Sequence, residues 1–337
     1  MSTPFRLEAT RGGIPESVHR VSVAVVDGQG RLVAESGEPA LVAFWRSAAK
    51  PFQALPMVAD GVADRVGFTD RELALACASH SSEPAHLEVV DGMLRKVGIG
   101  EDALACGPHP PLSPAVGEHV LRHGITMTPR WSNCSGKHTA MVAMARAHDW
   151  PVAGYERAGH PLQRRILAEV CRWTGVPEER IVQGVDGCTV VSFGLPLAAM
   201  ALAYARFGTS REPAATRLRA AMSGHPDMIG GRHRMCTDLG QAARGAVLAK
   251  LGADGVYCAA LPGPGLGLAL KVEDGDMLSL GPALLGVLRA LAARMPLGFD
   301  PAGLGAAVDR HAEIPIHNTR GAVTGALRAT GTLRFPA

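Results

Sequence analysis

Ala40-Leu41-Val42-Ala43-Phe44-Trp45-Arg46-Ser47-Ala48-Ala49-Lys50-Pro51-Phe52-Gln53 is where this chain turns from strand to helix. The apolar piece Ala40 to Phe44 reads as extended backbone. Pro51 has no N–H to donate, so it belongs in a first helical turn, and the spacing predicts a helix starting near Arg46 or Ser47. Ser47 then sits at a helix N-terminus, where free N–H groups and the helix dipole stabilise an anionic oxygen. Lys50 follows at an offset of three, which places it on the same helical face. A serine hydroxyl is a weak nucleophile until a neighbour takes its proton, and a lysine can do so as the free amine. The same residues are equally a first-turn serine beside a solvated lysine, so the surroundings must decide.

On the N-terminal side, the β-branched run Val21-Ser22-Val23-Ala24-Val25-Val26 precedes Asp27-Gly28-Gln29-Gly30 and then Arg31-Leu32-Val33-Ala34-Glu35, a hairpin around a Gly-rich turn. On the C-terminal side, residues 53 to about 235 carry mostly helical periodicity. Glu72 to Ala78 is an apolar run. The cluster Ser79-His80-Ser81-Ser82-Glu83-Pro84 caps a helix over Ala85 to Val97. Cys106 to Pro111 is a rigid loop. Trp131 to His138 is polar and opens into a helix from Thr139, and Leu195 to Ala205 reads as a buried Ala-rich helix. The last third returns to strands: Gly255 to Leu261 and Leu266 to Val272 flank Pro262-Gly263-Pro264-Gly265. A helix over Pro282 to Arg294 and a strand over Gly321 to Ala329 complete the chain. The expected fold is α/β of the α+β kind, an antiparallel sheet formed by N- and C-terminal strands with a large helical region between. We read 1–337 as a single catalytic unit, with 1–46 and 236–337 forming the sheet and 47–235 mainly helical.

Composition narrows the function. Among 337 residues the net charge is +3 and charged residues make up 19%, so no basic footprint for nucleic acid exists. Short clusters such as Gln163-Arg164-Arg165 and Gly231-Arg232-His233-Arg234 are ordinary solvated faces. No run of about 18 uncharged apolar residues appears, so no membrane span is expected. The start, Met1 to Glu8, lacks the apolar core of a signal peptide, and a cytoplasmic location is expected. That compartment disfavours structural disulfides, leaving buried packing as the default for the seven cysteines. No Cys-x-x-Cys occurs and the thirteen histidines read as scattered, with no His-x-x-x-His pair expected, which disfavours a generic metalloenzyme.

Several ordered blocks are more specific than the Ser-x-x-Lys spacing. Arg46 to Gln53, Ala78-Ser79-His80-Ser81, Asn133-Cys134-Ser135-Gly136-Lys137-His138, Asp186-Gly187-Cys188, Ala249 to Val256 and Leu266 to Lys271 together resemble the asparaginase II family, the inducible rhizobial-type L-asparaginases. The likeness runs through nearly the whole chain. It implies a fold similar to serine β-lactamases and glutaminases, and hydrolysis of L-asparagine to L-aspartate and ammonia by a homodimer. On matching positions it implies Ser47 as nucleophile, Lys50 as its base, and Ser79 with Lys250 as a second Ser–Lys pair relaying protons to the leaving ammonia. Read without the resemblance, Ser79 is a helix N-cap and Lys250 a solvated lysine at a helix C-terminus. The resemblance further implies zinc held by Cys134, Lys137 and Cys188. Thiolates suit zinc, and the lysine must lose a proton to bind it; otherwise both cysteines are buried thiols. Arg46, His80, His138, Asp186 and Gly187 fall to substrate binding. His138 and Asp186 alternatively orient the metal, and Arg46 alternatively caps the sheet edge. Residues 230–238 depart from the Gly-x-Gly-Arg-x-Asp-Thr segment expected there, keeping Arg232, Thr237 and Asp238.

Ser-x-x-Lys is also the signature of penicillin-recognising hydrolases, but no Lys-Thr-Gly or Ser-Asp-Asn accompanies it here. Two further readings fit the sequence, a non-catalytic amino-acid or metal sensor on the same fold and thiol chemistry through Cys134.

Overall fold

A computed structural model describes residues 4–336. Eleven strands run in chain order: β1 (Arg6–Arg11), β2 (Ile14–Asp27), β3 (Leu32–Ser36), β4 (Val42–Phe44), β5 (Val182–Val185), β6 (Val191–Pro196), β7 (Leu248–Leu251), β8 (Val256–Leu261), β9 (Leu266–Val272), β10 (Glu313–His317) and β11 (Val323–Thr330). The chain divides into two compact units, one comprising residues 1–48, 195–209 and 238–337, the other 49–194 and 210–237.

The first unit is built on an eight-stranded sheet in the order β10-β11-β1-β2-β9-β8-β7, with β3 also paired to β2. Its ladders are antiparallel throughout. Strands from both chain ends therefore make one sheet, as the sequence predicts. The β2–β3 and β8–β9 hairpins lie where their turns predict them, whereas β1, β7 and β10 escape the sequence reading. Central β8 and β9 are almost entirely buried. The Leu197–Thr209 helix packs on β2, β8 and β9, and the Leu280–Ala292 helix on β1, β9, β10 and β11. At Gly267 on β9 a Cβ would collide with the Ala201 carbonyl oxygen and the Ala205 nitrogen, so glycine lets that helix backbone lie directly on the sheet. The Leu280–Ala292 helix buries Leu280, Leu284, Leu288 and Leu291, recurring at the three- and four-residue spacing of one helical face.

The second unit is mostly helical, with β5 and β6 paired antiparallel. Its Asp70–Ala76 helix begins with a capping box in which Thr69 accepts from the Glu72 N–H and the Glu72 carboxylate accepts from the Thr69 N–H, an arrangement worth about 1 kcal/mol. The Pro84–Val97 helix starts where the Ser79–Pro84 cluster predicts it.

Two boundaries differ from expectation. The α-helix after Ser47 begins at Lys50, preceded by a 3-10 turn over Arg46–Ala49. Arg46 has φ of 52°, a left-handed conformation that no α-helical turn accommodates. The helix expected from Thr139 instead begins at Ser135, so Lys137 and His138 lie on it rather than before it. No helix is long and apolar enough to cross a membrane among the described residues, and all seven cysteines are free thiols.

Candidate active site

In the sheet unit, Ser47 occupies the 3-10 turn that follows β4. The turn is fixed on both sides. Arg46 pairs with Asp254, and the Tyr204 hydroxyl donates to the Ala48 carbonyl at 2.8 Å. Trp45, fully buried, meets Tyr204 edge-on with ring centroids 6.3 Å apart. The Ser47 backbone is thus locked by a buried aromatic pair on one side and an ion pair on the other, while Ser47 itself is half-buried.

Lys250 lies in the middle of β7, 0% exposed, rather than at a helix C-terminus. Its ammonium donates to the Leu251 carbonyl at 2.8 Å. Its partner across the ladder is Cys258. Burial pushes the Cys258 thiol up to about 12, opposed by a hydrogen bond from Trp45 and by the charge of Lys250. Cys258 thereby lies near both Lys250 and the indole of Trp45, two residues before Ser47.

In the helical unit, Lys50 is 1% exposed. Its Nζ donates to the Ala78 carbonyl and lies 3.0 Å from Ser79 Oγ. Ser79 follows the Asp70–Ala76 helix and is not an N-cap. Its backbone N–H donates to the Ile229 carbonyl at 3.0 Å. The next residues are tied down closely. His80 Nε2 is 2.9 Å from Ser135 Oγ, and its Nδ1 accepts from the Ser82 N–H. Ser81 Oγ donates to the Gly230 carbonyl and Arg234 donates to Ser81. His80 is fully buried with both ring nitrogens engaged. Burial, with the charges of His86, Lys50 and His109, holds its pKa well below the usual histidine range, so it is neutral.

The altered 230–238 segment is part of this scaffold. Gly231 and Arg232 stack against the Ser81–Glu83 loop, and Thr237 receives the Gly231 N–H while donating to the Pro226 carbonyl. Asp238, in the sheet unit, binds Arg310 and His311.

Cys134 is the N-cap residue of the Ser135–Ala147 helix, and Lys137 lies in that helix's first turn. Gly136 permits the approach, because a Cβ there would stand 2.6 Å from the Leu75 carbonyl oxygen. Cys188 comes from the tight turn Asp186–Thr189 between β5 and β6, where Thr189 adopts φ of 76°. Lys137 Nζ is 3.0 Å from Cys188 Sγ. A hydrogen bond from Cys188, opposed by burial and helped by Lys50 and Lys137, holds the Cys134 thiol well below its usual range. Cys188 is pushed up by that same hydrogen bond and by burial. Burial works against the Lys137 charge, but Cys188, Cys134 and Asp186 outweigh it and raise the pKa. The trio is a compact set of one amine and two thiols sharing protons. Thiols and an amine suit zinc by donor chemistry once the amine and the thiols give up their protons. Among the described residues no group of three or more His, Cys, Asp or Glu able to hold a metal ion occurs, and this set itself offers two cysteines and a lysine.

Lys50 lies close enough to Cys134 to hydrogen-bond it, which puts the Ser-x-x-Lys lysine between Ser79 and the thiol set. His138 lies behind Lys137. The Ala105 N–H donates to the Tyr155 hydroxyl oxygen, and that hydroxyl meets His138 Nδ1. His138 Nε2 is buried and has no partner among the described residues. Asp186 is half-buried and accepts from the Gly187 N–H, while Gly187 is exposed. The expectation that the histidines are scattered with no His-x-x-x-His pair is wrong at one place, His119-Val120-Leu121-Arg122-His123.

The family described as L-asparaginase II matches residues 7–329. Comparison with curated protein sequences finds no match. Among solved structures, a β-lactamase from Mycobacterium bovis is 14% identical, over 76% of this chain and 88% of that one, with a TM-score of 0.36. Mglu in its native form in 4.3 M NaCl is 16% identical, over 83% of this chain and 62% of its own, with a TM-score of 0.38.

Proposed function

We infer the mechanism from one premise, that this chain belongs to the L-asparaginase II family and is therefore an amidohydrolase. The reading is hydrolysis of L-asparagine to L-aspartate and ammonia through a serine nucleophile. The observation that carries it is the buried Lys50–Ser79 hydrogen bond at 3.0 Å, directly downstream of a serine held in a clamped turn.

Amide hydrolysis requires a nucleophile, a base to take its proton, and an acid to protonate the departing amine. Ser47 is assigned as nucleophile, attacking the side-chain amide carbonyl. Lys50, acting as the free amine, takes the Ser47 proton. Because Lys50 also bonds Ser79, the proton can pass to Ser79 Oγ and on to the leaving nitrogen, with Lys250 serving the same relay. Ammonia leaves from the acyl-enzyme. Water then attacks along the reverse proton path, releasing aspartate and restoring Ser47.

Arg46 is held by Asp254, and a role toward the substrate carboxylate requires that pair to exchange partners. His138, with its unpartnered buried Nε2, and Asp186 are assigned to substrate orientation. His80, engaged at both nitrogens, is assigned to holding the Ser79 loop rather than touching substrate. Cys134, Lys137 and Cys188 would hold zinc, which when bound supplies a local positive charge able to orient a polar ligand group. The same reading includes a cytoplasmic homodimer.

The test is Ser47→Ala, assayed for ammonia release from asparagine with glutamine and nitrocefin in parallel. Activity should vanish while the circular dichroism spectrum is unchanged. Residual asparagine turnover within about tenfold of the native enzyme, ~1.4 kcal/mol in barrier, removes Ser47 from the mechanism, and rapid nitrocefin turnover would favour a penicillin-recognising enzyme.

A further inference from the structure

Away from every residue assigned above, the nine-residue helix Pro114–Arg122 and its C-cap carry two exposed imidazoles, His119 and His123. Four residues apart, they share a helical face, and their ring centroids lie 4.2 Å apart with planes at 38°. His123 Nδ1 is 2.9 Å from the His119 carbonyl oxygen. A carbonyl oxygen only accepts, so Nδ1 carries the proton and Nε2 keeps its lone pair. A backbone carbonyl that fixes one nitrogen as the donor is the usual way a metal-binding imidazole is oriented. The cation beside the pair, Arg122, is bound to the Glu118 carboxylate at 2.5 Å, which offsets its repulsion of a bound cation.

We propose that His119 and His123 form a chelating site for a divalent transition-metal ion of the Zn²⁺, Ni²⁺ or Cu²⁺ class, with water completing the coordination. Imidazole is a preferred donor for these ions. A tetrahedral ion bound at about 2.1 Å by both Nε2 atoms holds the ring centroids about 5 Å apart, so the rings need open by only about 1 Å. The site differs from the Cys134–Lys137–Cys188 set in offering two neutral nitrogen donors on an open surface and no thiolate, which makes its ion exchangeable.

The placement has a consequence for the helix. It buries one residue, Val120, and is held at its start by Ser113 and Pro114. A helix this short is marginal without packing. An ion bound across positions 119 and 123 binds only the helical form and so stabilises that turn by mass action.

The probe is Ni²⁺ added to the full chain, compared among the native protein, His119→Gln and His123→Gln. Calorimetric titration should show one more equivalent bound by the native protein than by either variant. With one imidazole left, affinity at this site should fall about a hundredfold, because the second ligand no longer binds intramolecularly. Amide exchange across residues 119–123 should slow on adding Ni²⁺ in the native protein alone. Equal stoichiometry in all three proteins, or the same exchange response in a variant, overturns the site. Both side chains are exposed, so the variants fold, and the sulfur-containing set is intact in all three.

Discussion

His80 sits at the junction of the Ser79 loop and the start of the Ser135–Ala147 helix, and its chemistry there can be read in a titration. The neutral ring donates through Nε2 to Ser135 and accepts through Nδ1 from Ser82. Burial is the main cause that lowers its pKa in the folded chain, while the unfolded chain binds a proton near pH 6.5. The unfolded state therefore holds more protons below that pH, and stability is complete above about pH 6.5 and declines as pH falls. At pH 5.5, one unit below the unfolded value, a histidine that stays neutral costs about 1.4 kcal/mol. His80→Gln retains a donor and an acceptor of similar reach and removes the titration. Urea unfolding at pH 7.5 and 5.5 should show the native protein losing about 1.4 kcal/mol more than the variant. Coincident losses would mean that His80 is not held neutral. At this scale the sequence was only partly legible. The Ser47–Lys50 offset is local and visible, whereas the contacts of Lys50 with Ser79 and Cys134 join segments 29 and 84 positions away along the chain and exist only after packing. His80 is expected to bind substrate from the family resemblance alone, and no local pattern shows that its polar neighbours are buried and hydrogen-bonded.

Among the elements, the Ser135–Ala147 helix shows why periodicity misplaced a boundary. Every residue from Ser135 to Ala145 is buried, so no polar face marks the start, and Ser135, Lys137 and His138 look like loop. The helix must begin at Ser135 for Gly136 to pass the Leu75 carbonyl. This start places Cys134 at the cap and Lys137 one turn in, facing Cys188 from the β5–β6 turn. Two elements distant in sequence thus supply the three side chains proposed to hold zinc, and neither carries all three alone. Cys188→Ser replaces a thiol that a bound ion can deprotonate by a hydroxyl that stays protonated, and metal affinity depends on ligand deprotonation. Elemental analysis should show the native protein with one zinc per chain and the variant with little or none; a full complement in the variant would place zinc elsewhere. The strands divide the same way. Hairpins β2–β3 and β8–β9 announce themselves through turn residues between β-branched or apolar runs, while β7, Leu-Ala-Lys-Leu, is short and interrupted by Lys250.

For the molecule as a whole, the consequence of joining both chain ends in one sheet falls on β1. Its sequence, Arg-Leu-Glu-Ala-Thr-Arg, alternates polar and apolar residues at a chain end, and nothing in it announces an interior strand. Yet β1 lies between β11 and β2, bonded on both sides, with Leu7 fully buried. Removing an edge strand exposes one row of backbone groups, whereas removing β1 leaves two strands with unpaired donors and acceptors and uncovers the Leu280–Ala292 helix that packs on it. Because the same sheet carries Lys250 on β7 and supports the turn holding Ser47, its integrity is a condition of the proposed chemistry. Deletion of residues 1–12 should therefore abolish ammonia release together with the cooperative urea transition followed by circular dichroism. A truncated protein that unfolds at the native midpoint would show that β2 and β11 hold without their shared partner, and the sheet's stability would then have to come from the β2–β9–β8 centre and its helices.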